Sequence, residues 1–179
     1  MIAIVDYGLG NVQAFANIYK RLNVPAQISS MPEQLQDASR IILPGVGAFD
    51  WAMNRLNQSG IRQPLEDVVI RRGTPVLGIC VGMQMMARSS EEGQLPGLGW
   101  IDAEVRKFDF SSLDGGTQLP HMGWNDVMPR EGDGLFMNLQ SGARFYFLHS
   151  YYFMPRYSEN VSAVTDYNGL YASAVQSKN

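Results

Sequence analysis

The 179-residue sequence has few of the side chains that hold metals or cross-link small domains. It contains one cysteine, Cys80, and two histidines, His121 and His149. A single cysteine excludes an internal disulfide and a cysteine-based zinc site, and two histidines leave few ligands for any other metal. We therefore expect no metal site and no cofactor.

Clustered positive charge and long apolar runs are also scarce. The net charge is −3, and Lys and Arg form no stripe of the kind that binds nucleic acid or an anionic membrane. The longest uncharged stretch, residues 73–87, is shorter than the about 20 residues that span a bilayer. Residues 1–6 lack the basic region of a secretory signal. These absences predict a cytoplasmic protein without a nucleic-acid or membrane partner.

The length fits one domain, which we place at 1–179. Strand and helix patterns alternate in the first half, with strands predicted at 2–6, 25–29, 40–43 and 75–79. This order predicts an α/β fold with a mainly parallel central sheet flanked by helices. Beyond residue 100, short strands joined by turns predict an antiparallel β-rich extension.

A glycine-flanked cysteine is the strongest local motif. Residues 78–82 read Gly-Ile-Cys-Val-Gly, between a predicted strand and a predicted helix that begins at Met83. This is the pattern of a nucleophile elbow, in which flanking side chains would collide with neighbouring backbone. We expect the helix dipole to lower the thiol pKa, and the Val81 N–H to face a developing oxyanion. The alternative is an inert cysteine packed in the core.

A second glycine-rich loop follows the predicted strand at 40–43. Residues 44–47 read Pro-Gly-Val-Gly. Alone, this sequence indicates only a turn. In an open parallel sheet, however, loops at the carboxyl ends of strands share one edge, where ligands bind. We therefore expect it to lie beside Cys80 and to offer a second oxyanion donor or a backbone edge for a substrate.

A cysteine nucleophile normally needs a base that later protonates the leaving group. We predict His121 to lie in a loop and His149 at the end of an apolar strand, and the spacing does not choose between them. Either histidine alone is more often structural. Glu91 and Glu92 could form a carboxylate pair, but we prefer the simpler interpretation of a solvated loop.

Residues 78–84, Gly-Ile-Cys-Val-Gly-Met-Gln, resemble the nucleophile segment of class I glutamine amidotransferases. Four further segments narrow the resemblance: Asp-Tyr-Gly-Leu-Gly-Asn at 6–11, Leu-Pro-Gly-Val-Gly-Ala-Phe at 43–49, His-Met-Gly-Trp-Asn at 121–125 and Phe-Leu-His-Ser-Tyr-Tyr at 147–152. Together they are similar to the glutaminase subunits of imidazole glycerol phosphate synthase, a family of histidine biosynthesis. The resemblance extends over essentially the whole chain.

The resemblance implies a role for each matching residue. Cys80 would attack the side-chain amide of glutamine to give a thioester and ammonia, with the backbone of Val81 and Val46 at the oxyanion. The residues implied in glutamine binding are Gly45, Gly47, Gln84, His149, Ser150 and Tyr151. Ammonia would pass to a (β/α)8-barrel cyclase subunit, whose interface would include Asn11 and Tyr146.

The sequence departs from the family at one point. The family's catalytic histidine and glutamate come from a His-Pro-Glu segment near the C-terminus, which this sequence does not contain. We expect a chain that lacks its C-terminal segment rather than a pseudoenzyme, and poor catalysis by the 179 residues alone. The alternatives are a glutaminase subunit of another synthase, a non-catalytic glutamine-binding subunit and a stand-alone cysteine hydrolase.

Overall fold

A parallel sheet forms the centre of the first half of the chain. The computed structural model describes residues 1–109, 118–139 and 142–177. The sheet has four strands, β1 (Ile2–Val5), β2 (Ala26–Ser29), β3 (Arg40–Gly45) and β4 (Val76–Cys80), in the order β2-β1-β3-β4. Every neighbouring pair is parallel. The predicted mainly parallel sheet is confirmed.

Helices connect these strands, as the alternating pattern predicted. They are α1 (Val12–Arg21), α2 (Glu33–Gln36), α3 (Phe49–Gln58), α4 (Arg62–Glu66), which continues as a π-helical segment (Asp67–Arg71), and α5 (Val81–Gln84). The helix predicted from Met83 therefore begins two residues earlier and is a single turn. It directly follows Cys80, so strand and helix meet at the cysteine.

The two faces of the parallel sheet are covered unequally. Side chains alternate along a strand, so Val5 and Leu43 face the larger core, where Phe49 and Met53 of α3 are fully buried. Ile4 and its neighbours face α1, whose own side chains are only partly buried. The sheet is thus held chiefly by the face that carries α3.

The second half of the chain forms antiparallel sheets of its own. Its strands are β5 (Ser89–Ser90), β6 (Ala103–Lys107), β7 (His121–Asp126), β8 (Met128–Pro129), β9 (Arg144–His149), β10 (Tyr151–Pro155), β11 (Val161–Asp166) and β12 (Leu170–Val175). Six of them form a sheet in the order β5-β6-β10-β12-β11-β8, antiparallel except for β5–β6. β7 and β9 pair separately. Among the described residues, no helix has the length and apolar character needed to cross a membrane.

Candidate active site

Cys80 occupies a sharp turn between β4 and α5. Its backbone has φ +56° and ψ −123°. A positive φ is rare for a residue with a side chain and is found where the surrounding structure enforces it, often at functional sites. The other non-glycine residues with positive φ in the described part of the chain are all asparagines, which tolerate this conformation. Cys80 thus has the backbone of a nucleophile elbow.

The flanking glycines are required by close backbone contacts. A Cβ on Gly82 would collide with the carbonyl oxygen of Leu43 in β3. A Cβ on Gly78 would lie 2.7 Å from the Met83 Cα and 2.8 Å from the Gly82 carbonyl oxygen. The collisions expected from the sequence motif are therefore present on both sides of Cys80.

The Pro-Gly-Val-Gly loop lies directly against the elbow. The β3–β4 register pairs Gly45 with Cys80, and a Cβ on Gly45 would collide with the Gly82 backbone nitrogen. The Val46 side chain is 53% exposed, so the loop lies at the surface beside Cys80. The adjacency predicted from the shared edge of the sheet is thus found.

Tyr7 holds the Pro-Gly-Val-Gly loop from the buried core, a role that we did not predict from the sequence. Its hydroxyl donates a 2.7 Å hydrogen bond to the Pro44 carbonyl oxygen in the buried core. Burial raises the pKa of Tyr7, and the negative charge of a Cys80 thiolate would raise it further. Tyr7 therefore remains a neutral hydrogen-bond donor. The sequence did place Tyr7 just after β1, at the sheet edge where the two glycine loops meet, and this position could have indicated its role.

The predicted lowering of the thiol pKa is wrong. Burial raises the pKa of Cys80, the hydrogen bond from Val81 opposes this, and the Glu92 carboxylate raises it again. Cys80 keeps an exposed surface, so the desolvation comes from the protein around its inner side. The expected dipole is weak because α5 has only four residues.

Glu92 is fixed rather than solvated. Its Oε2 accepts a 2.9 Å hydrogen bond from the Phe49 N–H, where α3 begins. Glu91 likewise accepts a 2.7 Å bond from the Lys107 N–H. The two carboxylates therefore anchor the segment after β5 instead of forming a catalytic pair, which is why Glu92 stays close enough to affect Cys80.

Three predicted substrate residues meet at one carbonyl oxygen. Gln84 is buried, and its Nε2 donates a 3.2 Å hydrogen bond to the Tyr151 carbonyl. His149 Nδ1 lies 2.8 Å from the same oxygen. Ser150 lies between His149 and Tyr151 in the sequence and connects β9 to β10. A cavity of about 1320 Å³ opens along β4, and Cys80, Gln84, His149 and Tyr151 all line it.

Both histidines are hydrogen-bonded to groups other than Cys80. His121 is buried as the first residue of β7, so its prediction as a loop residue is wrong. Its nitrogens contact Tyr171 and Asn125, and those of His149 contact Tyr151 and Tyr171. Burial lowers the pKa of His121 to about 4, with a smaller contribution from His149, and burial also lowers the pKa of His149. Both imidazoles are therefore neutral near pH 7.

The predicted interface residues lie at the surface. Asn11 is exposed, and its Oδ1 accepts a 3.1 Å hydrogen bond from the Ala14 N–H as the N-cap of α1. Tyr146 is 56% exposed and packs edge-on against Trp124, with ring centroids 5.8 Å apart. Across the described ranges, no group of three or more metal-ligating side chains is positioned to hold an ion.

The fold and this cysteine elbow define a class of protein. The chain belongs to the class I glutamine amidotransferase family, whose profile matches residues 3–179. The fold agrees with a glutamine amidotransferase crystal structure at 19% identity and a TM-score of 0.66, covering 92% of this chain and 84% of that one. A glutamine amidotransferase of Thermotoga maritima is similar at 18% identity and a TM-score of 0.59, with 97% and 72% covered.

Closer relatives carry a more particular name. The chain is 54% identical over 180 residues to imidazole glycerol phosphate synthase subunit HisH of Bdellovibrio bacteriovorus, covering 100% of this chain and 88% of the relative. It is 47% identical over 179 residues to the subunit of the same name in Leptospira borgpetersenii, with the same coverage. Within the amidotransferases, it falls among the HisH subunits.

Proposed function

We propose that this chain is the glutaminase subunit of an imidazole glycerol phosphate synthase in histidine biosynthesis, with Cys80 as its nucleophile. The Cys80 sulfur would form a bond to the side-chain amide carbon of glutamine. The C–N bond then breaks, and the NH2 group leaves as ammonia with the proton that the Cys80 thiol gave up. Water hydrolyses the resulting thioester to glutamate and regenerates the thiol. The positive φ of Cys80, between two glycines that admit no side chain, is the observation that carries this proposal.

The oxyanion of each tetrahedral intermediate would be stabilised by backbone. The hydrogen bond from Val81 already favours negative charge on the sulfur, which supports a donor at this position. The backbone of Val46 would supply the second contact, supported by the pairing of Gly45 with Cys80. Gly47, with φ +83°, allows this loop to turn back toward the elbow.

Glutamine would bind in the groove beside Cys80. Gln84, His149 and Tyr151 share one carbonyl hydrogen-bond centre at its wall, and Ser150 is adjacent in sequence. We assign proton transfer to neither His121 nor His149, because both nitrogens of each ring are already hydrogen-bonded. The two histidines are structural and binding groups in this proposal.

The partner would be a (β/α)8-barrel cyclase subunit that receives the ammonia. The outer face of β7 and β9 supports this, because it carries an exposed apolar patch of Met122, Trp124, Tyr146 and Leu148. Asn11, exposed at the start of α1, would contribute a further contact. Delivery without release to water keeps ammonia unprotonated and nucleophilic. We propose a cytoplasmic location, where a free thiol nucleophile stays reduced.

Because the 179 residues alone are expected to catalyse poorly, the decisive experiment compares nitrogen sources in the complex of the cyclase with this chain extended by the family's His-Pro-Glu segment. We expect Cys80→Ala to reduce glutamine-dependent synthesis by about a thousandfold or more and to leave ammonium-dependent synthesis intact. Unchanged glutamine-dependent output would instead indicate a binding subunit. Glutamate release without any partner would indicate a stand-alone hydrolase. Association with a different synthase subunit would assign the chain to another biosynthetic pathway.

The patch is tested separately by a matched pair of tyrosines. Tyr146→Ala should weaken cyclase binding by about tenfold or more, since buried aromatic residues dominate interfaces. Tyr157 is similarly exposed, at 48% against 56%, but lies outside β7 and β9. Tyr157→Ala should bind the cyclase as the wild type does. Equal binding by both variants would exclude this face as the interface.

A further inference from the structure

One tyrosine hydroxyl joins the only two histidines of the chain. Tyr171 Oη lies 3.1 Å from His121 Nδ1 and 3.2 Å from His149 Nε2. The histidines face one another across the β7–β9 ladder, and Tyr171 comes from β12. Tyr171 is 6% exposed, so its hydroxyl depends on buried partners, which are the two histidines and the Thr165 hydroxyl, rather than on bulk water.

The side chain of Asn125 sets the direction of these hydrogen bonds. Its Nδ2 donates to the Asp166 carbonyl at 2.9 Å, and its Oδ1 accepts from the Asp126 N–H at 2.8 Å. These two contacts fix which end of the amide is the NH2 group. The same Nδ2 lies 3.3 Å from His121 Nε2. That ring nitrogen must therefore accept, which leaves the proton of neutral His121 on Nδ1.

Each later bond in the series is then determined. His121 Nδ1–H donates to Tyr171 Oη, so the tyrosine uses its own proton to reach His149 Nε2. His149 consequently carries its proton on Nδ1. The 2.8 Å contact from that nitrogen to the Tyr151 carbonyl requires the same answer independently, because a carbonyl can only accept. One proton arrangement thus satisfies all four bonds.

This series ends at the nucleophile elbow. The Tyr151 carbonyl also accepts from Nε2 of Gln84, the last residue of α5. α5 begins immediately after Cys80. Hydrogen bonds therefore run without interruption from β7, through the two histidines, to the helix that directly follows the nucleophile.

We propose that Tyr171 is a positioning residue, whose hydroxyl joins the Nδ1–H tautomers of both histidines into one series and thereby orients His149, the Tyr151 carbonyl and Gln84 for glutamine. The identity of the ligand rests on the proposed function. Tyr171 touches no reacting atom. Its hydroxyl donates to His149 Nε2, and without that bond the Tyr151 carbonyl alone would hold the imidazole in place.

The tautomers are measured directly by imidazole ¹⁵N NMR on histidine-labelled protein, which gives only two spin systems. We expect both histidines as Nδ1–H at pH 7. Tyr171→Phe keeps the ring, which packs edge-on against Phe108 at 5.1 Å, and should shift the Nε2 resonance of His149 and the Nδ1 resonance of His121. An Nε2–H tautomer in the wild type, or unchanged resonances in Tyr171→Phe, would overturn the proposal.

Tyr167→Phe is the matched control. The Tyr167 ring stacks on His121 at 3.9 Å, but its hydroxyl donates to the Gln118 carbonyl, outside the series. This variant should retain both tautomers. Asn125→Asp is a second probe, because a carboxylate opposite His121 Nε2 demands a proton there. It should add an Nε2–H signal to His121, and its absence would contradict the assigned direction.

Glutamine affinity tests the functional part by calorimetry. We expect Tyr171→Phe to bind glutamine about tenfold more weakly and Tyr167→Phe to remain within about twofold of the wild type. Wild-type-like binding by Tyr171→Phe would refute the positioning role while leaving the proposed function intact. No glutamine binding by the wild type would refute both the proposed function and this role, whereas the tautomer result would be independent of it.

Discussion

Gly82→Ala offers a sharp test of the elbow because two physical effects oppose each other. Gly82 lies in α5, where alanine is favoured over glycine by about 1 kcal/mol. Its backbone does not have a positive φ, so alanine meets no conformational penalty there. The new Cβ, however, would collide with the Leu43 carbonyl oxygen of β3, an atom fixed in the central sheet.

We expect the collision to exceed the helix preference. Insertion into a close-packed interior costs about 1–3 kcal/mol, and a backbone obstacle falls at the upper end because it cannot rotate away. The net loss should be about 2 kcal/mol in the free energy of unfolding. For a chain of this size that corresponds to a decrease of roughly 4–8 °C in Tm. Urea unfolding and thermal unfolding measure it directly.

Two glycine controls separate the contributions. Gly134 has open space around its Cβ position and no positive φ, so Gly134→Ala should lie within about 0.5 kcal/mol of the wild type. Gly60 also has open space but φ +75°, so Gly60→Ala measures backbone strain alone, about 1–2 kcal/mol. A Gly82→Ala protein at least as stable as Gly134→Ala would refute the close packing of the elbow on β3.

Three further predictions concern capping and titration. Asn11→Ala should lower the free energy of unfolding by about 1 kcal/mol through loss of the α1 cap, whereas Asn11→Ser should retain it; thermal unfolding distinguishes them. Because burial holds the His121 pKa at about 4, the unfolded chain alone gains a proton there as pH falls from about 6.5 to 4. The free energy of unfolding should therefore decrease between pH 6.5 and pH 4, by up to about 3 kcal/mol more in the wild type than in His121→Asn. Urea unfolding at each pH measures this difference. Because burial raises the pKa of Cys80, alkylation of this thiol should be slower at pH 7 than that of a small free thiol and should still accelerate above about pH 9; a plateau near neutrality would contradict it.

Local patterns predicted the first half of the fold well. The apolar runs that became β1 and β4 are bounded by glycine-rich turns, and the alternation of strands with helices favours a parallel sheet. The glycines around Cys80 were equally informative, because a strained turn leaves its mark on adjacent residues. Signals of this kind lie within a few positions of the structure that they determine.

Features decided by distant contacts were not predictable in this way. His121 begins a strand whose sequence, His-Met-Gly-Trp-Asn-Asp, has residues that strands disfavour. It is a strand because β9, which begins 18 residues after β7 ends, pairs with it along its whole length. The prediction for the Cys80 pKa was wrong for the same reason. Burial of the thiol and the Glu92 carboxylate, both set by distant parts of the chain, raise this pKa more than a one-turn helix can lower it.

The β7–β9 pair serves two purposes at once because side chains alternate along a strand. Outward positions 122 and 124 pair with 148 and 146 and form the apolar patch, whereas inward positions 121 and 125 carry the hydrogen bonds that lead to Tyr171. A shift of one residue in register would exchange the two sets. Gly123, with φ +130°, lies between them in a conformation that disfavours any side chain. A substitution at Gly123 should therefore impair partner binding and the histidine tautomers together, while an outward substitution such as Tyr146→Ala should affect partner binding alone.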